Sequence, residues 1–506
     1  MSAPMSAPMS EATSTELKQL AGRMIMIRFP GTTLDEETAT FLRDYRIGGV
    51  CLFRQNMVDA GQLAQLTADL RAAMGPHALI GIDQEGGAVV RATWLPQPPA
   101  AMGLGAADDP ELARDVGAAV ARGVRALGFN WNFAPVLDLN NNPDNPVIAE
   151  RSFGDDPARA AELALAWMAG SLAEGVACCV KHFPGHGDTH VDSHRDLPRV
   201  DKPLAQLEAF EFKPFRTAAP HAPALMTAHI VYPALDADMP ATMSRRILHG
   251  LLREAWNYQG VIITDGMDMH AIANRYGAGQ AAVRALQAGA DMVMALGTRA
   301  TQMATIDAIA AALADGTLPL AGAHARVARL HALARRFPSK GSPYPQEEAD
   351  RALMALAWRR GLTAYRDPQR PPIGRRVRLV ARADVVSDGV SEAGVPAASV
   401  ADLLRRHYDI DLVTFDDEDR FDWAALPRDG RSTVLASTSR MRYGAHARSN
   451  WTPDLHLALW NPYQALDFNT PALLTYGFAP PALDAVGAWL AGEIEAAGRI
   501  PVPGFD

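Results

Sequence analysis

The chain has 506 residues, 48% hydrophobic and 21% charged, which is ordinary globular usage and excludes a largely disordered or fibrous protein. Lys plus Arg number 48 against 57 Asp plus Glu, a net charge of −9, so the basic footprint of a nucleic-acid or anionic-lipid binder is missing and neither partner is expected. The length suits two or three domains.

The N-terminus repeats MSAP and no apolar core follows, so it does not read as a signal peptide; residues 1–16 are expected to form a disordered tail. No run of about 18 apolar residues exists anywhere, so no membrane span is expected. Cys51, Cys178 and Cys179 lie in apolar runs without metal-type spacing. They read as buried structural thiols, which points to a reducing, cytoplasmic setting.

Eight short β-rich apolar runs follow, at 24–29, 48–53, 79–83, 129–136, 176–180, 224–229, 261–265 and 292–296. Stretches of helical period lie between them, at 60–74, 111–127, 157–172 and 277–288. Buried strands alternating with helices predict βαβ units and a parallel sheet. Eight units suit a (β/α)8 barrel over 17–337 better than a doubly wound open sheet. Reactive residue types follow the C-terminal ends of these runs: Asp83, Asp138, Lys181-His182, His229 and Asp265. In a barrel they converge on one mouth.

The segment PSKGSPYPQ at 338–346 reads as a linker, and a helix is expected at 348–364, within a connecting region of 338–375. Apolar runs at 377–380, 411–415, 432–436, 455–459 and 472–476, with a closing helix at 482–496, predict a smaller α/β domain over 376–506, a parallel sheet covered by helices.

The densest chemistry lies in KHFPGHGDTHVDSHRDLP at 181–198. His182, His186, His190 and His194 are spaced by four, which on a helix would suggest a metal site. Pro184, Gly185 and Gly187 break such a helix, so the segment reads as a long loop after strand five with no metal. In Asp192-Ser193-His194 the carboxylate can fix one ring nitrogen and leave the other for proton transfer; a merely satisfied loop histidine is the alternative. Asp265 ends strand seven in VIITDGMDM. A carboxylate there is costly unless it serves as nucleophile, base or ligand, with Asp268 a competitor and helix capping the structural alternative. Asp83 suits vicinal hydroxyls, Gly86 and Gly87 permit close backbone approach, and Arg91 and Arg151 supply fork-like donors.

In order, GIDQEGGAVVR (81–91), NWNFAPVLDLNNNPDNP (130–146), ERSFG (150–154), the 181–198 segment and ITDGMDM (263–269) resemble glycoside hydrolase family 3, and within it the bacterial β-N-acetylglucosaminidase branch. The resemblance implies a retaining exo-enzyme that removes terminal β-linked N-acetylglucosamine from peptidoglycan-derived saccharides, as a monomer and without cofactor or metal. It implies that Asp265 is the nucleophile, His194 the acid/base and Asp192 its dyad partner, with Asp83, Arg91, Arg151, Lys181 and His182 binding sugar. An imidazole near its usual pKa of about 6.5 can protonate a leaving oxygen and later deprotonate water. LTYG at 474–477 and GRIPVP at 498–503 are similar to the ending of the second domain of longer members, which need not contribute catalysis if His194 is the acid/base. Ala88, where the family often has a basic residue, and Gly266 depart from the common pattern. Alternatives are a family 3 β-glycosidase of other specificity, a phosphorylase, or a metal-dependent amidohydrolase. The last needs His-x-His after strand one, where this chain has Arg28-Phe29-Pro30-Gly31.

Overall fold

The computed structural model describes residues 11–189, 197–387 and 390–505. Eight parallel strands close into a barrel in chain order: β1 (Ile25–Ile27), β2 (Gly49–Cys51), β3 (Leu79–Ile82), β4 (Trp131–Asn132), β5 (Ala177–Phe183), β6 (Ala224–Thr227), β7 (Val261–Gly266) and β8 (Met292–Ala295). Each falls inside or across one of the eight apolar runs. The runs are continuous rather than alternating because both strand faces are buried. Met26, Cys51, Trp131, Cys179, Met226, Ile263 and Met294 fill the barrel interior. Their neighbours Ile25, Val50, Ile80, Val180, Leu225, Ile262 and Val293 pack outward against the helices. Large and small residues share the interior: a Cβ on Gly81 would lie 2.5 Å from the Phe133 ring. Asp-Pro pairs start two of the barrel helices, Pro110–Ala126 and Pro157–Ala173, where Asp109 and Asp156 accept from the first free backbone N–H groups.

A helix at Glu11–Gly22 covers residues 11–16 of the expected tail, and residues 1–10 lie outside the described residues. Its Leu17 and Leu20 join the barrel core, and Lys18 pairs with Asp307 at 2.7 Å, so tertiary contacts hold the helix in place.

Beyond the barrel, the helix Glu347–Gly361 stops short of the expected 364. Gly361 sits so close to Gly103 that a Cβ would lie 2.6 Å from its carbonyl oxygen, and the chain turns there into β9 (Thr363–Tyr365). The sheet of the second domain continues with β10 (Arg376–Arg382), β11 (Asp409–Phe415), β12 (Ser432–Ser437), β13 (Leu455–Ala458) and β14 (Ala472–Leu474). Its order is β9-β14-β13-β12-β10-β11. Five strands are parallel, as expected, but β9 adds an antiparallel edge by pairing Thr363 with Leu474. The closing helix is Pro480–Leu490 rather than 482–496, and Gly492 takes up a φ of +77° just past its end. Among the described residues, no helix is long and apolar enough to cross a membrane.

The two domains are joined through two buried hydrogen bonds and an exposed ion pair. Trp460 Nε1 donates to Glu150 Oε1 at 2.7 Å, Tyr463 OH donates to the Asn140 carbonyl at 3.1 Å, and Arg442 reaches Asp144 at 3.0 Å. Burial pushes the Glu150 carboxyl up, against the pull of Arg440 and the Trp460 bond. On the opposite side of the junction the connecting helix is held by Asp350, which accepts two bonds from Arg122 at 2.9 and 2.6 Å. Trp460→Ala removes a fully buried indole and the partner of Glu150, and is expected to cost about 3–5 kcal/mol. Trp460→Phe keeps most of the packing and should cost only about 1–3 kcal/mol. Denaturant midpoints of the two variants check this ordering.

Candidate active site

The mouth of the barrel is built from strand ends. β3 stops at Ile82, and Asp83 leads directly into a hairpin of Gln84–Gly86 and Val89–Val90. Its turn depends on Gly86, whose φ is +135° and where a Cβ would lie 2.2 Å from the Pro99 carbonyl oxygen. The hairpin therefore turns Asp83, Glu85 and Arg91 into the mouth, while Gln84 faces inward and its Oε1 accepts from the backbone N–H of Arg91 at 3.0 Å. β5 runs on to Phe183, past the expected end at 180, so Lys181 and His182 are strand residues, and Lys181 is 2% exposed.

Lys181 Nζ donates to Asp83 Oδ1 at 2.8 Å and to Glu85 Oε1 at 2.6 Å. Arg151 grips Glu85 with two parallel bonds, Nε to Oε2 and Nη2 to Oε1, both 2.8 Å. Such a fork is among the strongest charge-assisted arrangements available to a carboxylate. Burial alone would push the Glu85 carboxyl up, but Arg151 and Lys181 hold it well below the usual carboxylate range. The same pairing keeps Arg151 and Lys181 charged against the cost of their burial.

A second buried carboxylate, Asp138, organises the loop after β5. It accepts from the backbone N–H of His182 at 3.1 Å and of His186 at 2.7 Å, and from the His182 ring Nδ1 at 2.7 Å. Burial opposes its charge, yet His182 holds its carboxyl low. The ring bond fixes the His182 tautomer and leaves Nε2 free to act on a ligand. Burial, with the neighbouring His182, pushes His186 down to about 4. Asn145 Nδ2 donates to the carbonyls of His186 and Gly187 at 2.9 and 3.0 Å, and Gly187 passes so close to Leu139 that a Cβ would lie 1.4 Å from its carbonyl oxygen. Tyr232 OH donates to the Gly185 carbonyl. These contacts tie residues 184–189 to the barrel.

Asp265 lies at the end of β7, where its Oδ1 accepts from the Gly266 N–H at 2.7 Å. The Gly266 carbonyl receives His229 Nε2 at 3.0 Å, which buttresses the strand end from below. Asp268, the sequence competitor, lines the same cavity and meets Arg28 at 3.3 Å.

Asp83, Arg91, Arg151, Lys181, His182 and Asp265 line one cavity, although they come from four separate stretches of chain. Asp192 and His194 lie outside the described residues. Glu85 and Asp138 hold this arrangement together; sequence placed Asp138 at the mouth but gave neither residue its role as the buried acid that fixes its neighbours. Val390 and Glu392 of the second domain were not foreseen either. Arg91 Nη1 donates to Glu392 Oε1 at 2.9 Å and its Nη2 to the Val390 carbonyl at 2.8 Å, whereas its nearest approach to Asp83 is 3.9 Å. Val390 itself lines the cavity. Ala88 accounts for how this loop comes so close: it is 2% exposed, packs in the core of the second domain, and its carbonyl accepts the Glu392 N–H at 2.9 Å. Among the described residues, no group of three or more His, Cys, Asp or Glu side chains is arranged to hold a metal ion.

The mouth can thus bind a neutral polyhydroxylated ligand through paired charges, with Asp265 at the rim as a nucleophile or base. Comparison with known proteins agrees in kind. The family model "Glycosyl hydrolase family 3 N terminal domain" matches residues 14–333. The chain is 38% identical over 278 residues to a β-hexosaminidase of Alkalilimnicola ehrlichii, covering 53% of this chain and 79% of that one. It is 39% identical over 289 residues to β-hexosaminidase A of Pseudoalteromonas piscicida, a match spanning 52% of this chain and 48%, about half, of that relative. Among solved structures it superposes on a family 3 β-N-acetylglucosaminidase from a Paenibacillus species with a TM-score of 0.87 and 31% identity, covering 96% of this chain and 98% of that one. It also superposes on NagZ from Neisseria gonorrhoeae in complex with N-trifluoroacetyl-D-glucosamine, with a TM-score of 0.55 and 31% identity over 66% of this chain and 96% of that one.

His186 is neutral in the folded protein down to about 4, whereas an unfolded histidine takes up its proton near about 6.5. The unfolded state then binds more protons in that window, so stability falls as pH drops from about 6.5 towards 4, by up to about 1.4 kcal/mol per pH unit for this one group. Below the usual carboxylate range, protonation of Glu85 and Asp138 removes further stability, since both are held low when folded. Melting temperature against pH should show this fall, and His186→Asn should make the part between about pH 6.5 and 4 shallower, with His331 and His456 supplying the rest, while leaving the lower part in place.

Proposed function

The chain belongs to glycoside hydrolase family 3, and on that premise we propose that it is a retaining exo-β-N-acetylglucosaminidase acting on terminal β-linked N-acetylglucosamine of peptidoglycan-derived saccharides. The observation that carries this reading is the barrel-mouth cavity that Asp265 shares with Asp83, Glu85, Arg151, Lys181 and His182. Relatives named β-hexosaminidase and the likeness to a β-N-acetylglucosaminidase support the choice of sugar. Three buried, unpaired cysteines suit a monomer working in the reducing cytoplasm.

In this mechanism Asp265 attacks the anomeric carbon and forms a covalent glycosyl ester as the leaving oxygen departs. His194, as imidazolium, gives that oxygen its proton. As neutral imidazole it then takes a proton from the water that cleaves the ester, and two inversions give net retention. Asp192 holds the His194 ring and stabilises its charged form. Asp83, Lys181, Arg151 and His182 bind sugar hydroxyls with donors and acceptors that are already oriented and charged, so little reorganisation is needed on binding. Arg91 contributes to the same wall under restraint from Glu392 and Val390.

The decisive assay compares 4-nitrophenyl N-acetyl-β-glucosaminide with the plain β-glucoside, with and without phosphate. Cleavage of the first alone, giving free N-acetylglucosamine in both buffers, is the expected outcome. Preference for the glucoside would overturn the sugar assignment, and a sugar 1-phosphate product would overturn hydrolysis. His194→Ala is expected to damage turnover of a natural disaccharide far more than that of the aryl glycoside, because a phenolate leaves without much protonation, and azide should partly restore the aryl reaction. Equal loss on both substrates would remove His194 from the acid/base role.

A further inference from the structure

The face of the barrel opposite the mouth carries a second cavity of unlike chemistry. Arg23 precedes β1, Arg43 and Arg46 lie at the end of the helix Glu36–Asp44 and in the turn after it, His77 precedes β3, and His331 belongs to the helix Leu320–Arg336. All five line one cavity, with an apolar floor that includes Leu42, Leu79 and Leu330, and its lining contains no carboxylate. In a chain of net charge −9 this is an isolated concentration of positive groups.

The cations are not balanced from the surrounding elements. Among the described residues Arg43 pairs with Glu36, but Arg23 and Arg46 form no ion pair. The rings of His77 and His331 stack at 4.1 Å with an interplanar angle of 22°, and the buried Nδ1 of His77 has no hydrogen-bond partner. The charged neighbours that act on Arg23, His77 and His331 are positive. Arg23 is pushed down by burial and then by Arg46; His77 by burial and then by Arg335 and Arg23. His331 is pushed down to about 4 by burial, His77, Arg23 and Arg335. Placing Arg23, Arg46 and two histidines beside Arg43 in one concavity, with only Glu36 as a counter-charge to Arg43, leaves repulsion that a bound anion would reduce. Arginine forks match the oxygen geometry of a tetrahedral oxyanion, and two imidazoles able to take up protons would add donors as it binds.

We propose that this cavity binds a phosphate group, supplied as inorganic phosphate or as a small phosphomonoester, at the end of the barrel remote from Asp265. Binding favours the protonated forms of His77 and His331, while the phosphate group itself gives up charge as pH falls towards its second pKa of about 6. It involves no residue of the mouth.

The test is thermal unfolding and calorimetric titration of the full chain in chloride buffer, with inorganic phosphate and glucose 6-phosphate as separate probes, beside proton NMR of the histidine ring protons assigned through His77→Gln and His331→Gln. A saturable rise in melting temperature with at least one probe is expected, with the His331 titration moving up from about 4. Matched ionic strength of chloride should not reproduce either effect. The tighter probe identifies the source of the phosphate group. Arg23→Gln combined with Arg46→Gln should weaken binding by about tenfold or more. Because it relieves repulsion, this double variant should fold and melt no lower than the wild type without phosphate. Arg91→Gln, which removes a cation from the mouth, should bind phosphate like the wild type, which separates this site from any affinity of the mouth. Binding that persists in the double variant, or a rise that chloride reproduces, overturns the proposal.

Discussion

Burying carboxylates at the end of an apolar barrel is possible only if each is matched by a cation or by several N–H donors. Glu85 is the centre of that constraint. Its side chain is 8% exposed and lies between Arg151, from the turn after β4, and Lys181, on β5, which also reaches Asp83. Removing any one member would leave another charge buried and unpaired, so the hairpin after β3, the turn around Arg151 and the end of β5 must be positioned together. The site's rigidity follows from this mutual dependence rather than from any single strong contact.

Asp138 plays the corresponding role for the loop after β5, using backbone donors instead of cations. A buried carboxylate that accepts from two successive parts of a loop fixes the path of that loop and the orientation of the His182 ring at once. Gly187 makes the path sterically possible, since no side chain fits against Leu139. His182 and His186 are thereby positioned by hydrogen bonds to one acid rather than by a helix.

The second domain is part of the mouth. Its loop supplies Val390 to the cavity wall and Glu392 to Arg91, and its Trp460 satisfies Glu150, immediately before Arg151. One domain thus bonds Arg91, and the residue before Arg151, in the cavity wall of the other. At the opposite end of the barrel, Arg23 and Arg46 beside His77 and His331 form no ion pair among the described residues, and Arg43 is the one arginine of that cavity that does, with Glu36, so the two ends share a scaffold but differ in charge balance.

By itself the sequence determined the elements whose causes are local. Apolar runs too short for helices and bounded by polar residues marked the eight strands, and five ordered motifs marked the family and drew attention to Asp265, Lys181 and neighbours that line one cavity. The tertiary structure decided what depends on distant partners. The antiparallel edge β9, the early stop at Gly361 and the contact of Arg91 with Glu392 are set by packing between segments hundreds of residues apart, and leave no periodic trace in either segment. The same holds for Glu85 and Asp138: an acidic residue near a strand end looks alike in sequence whether solvated or buried, and only the cations and N–H groups that converge on it fix its charge and its role.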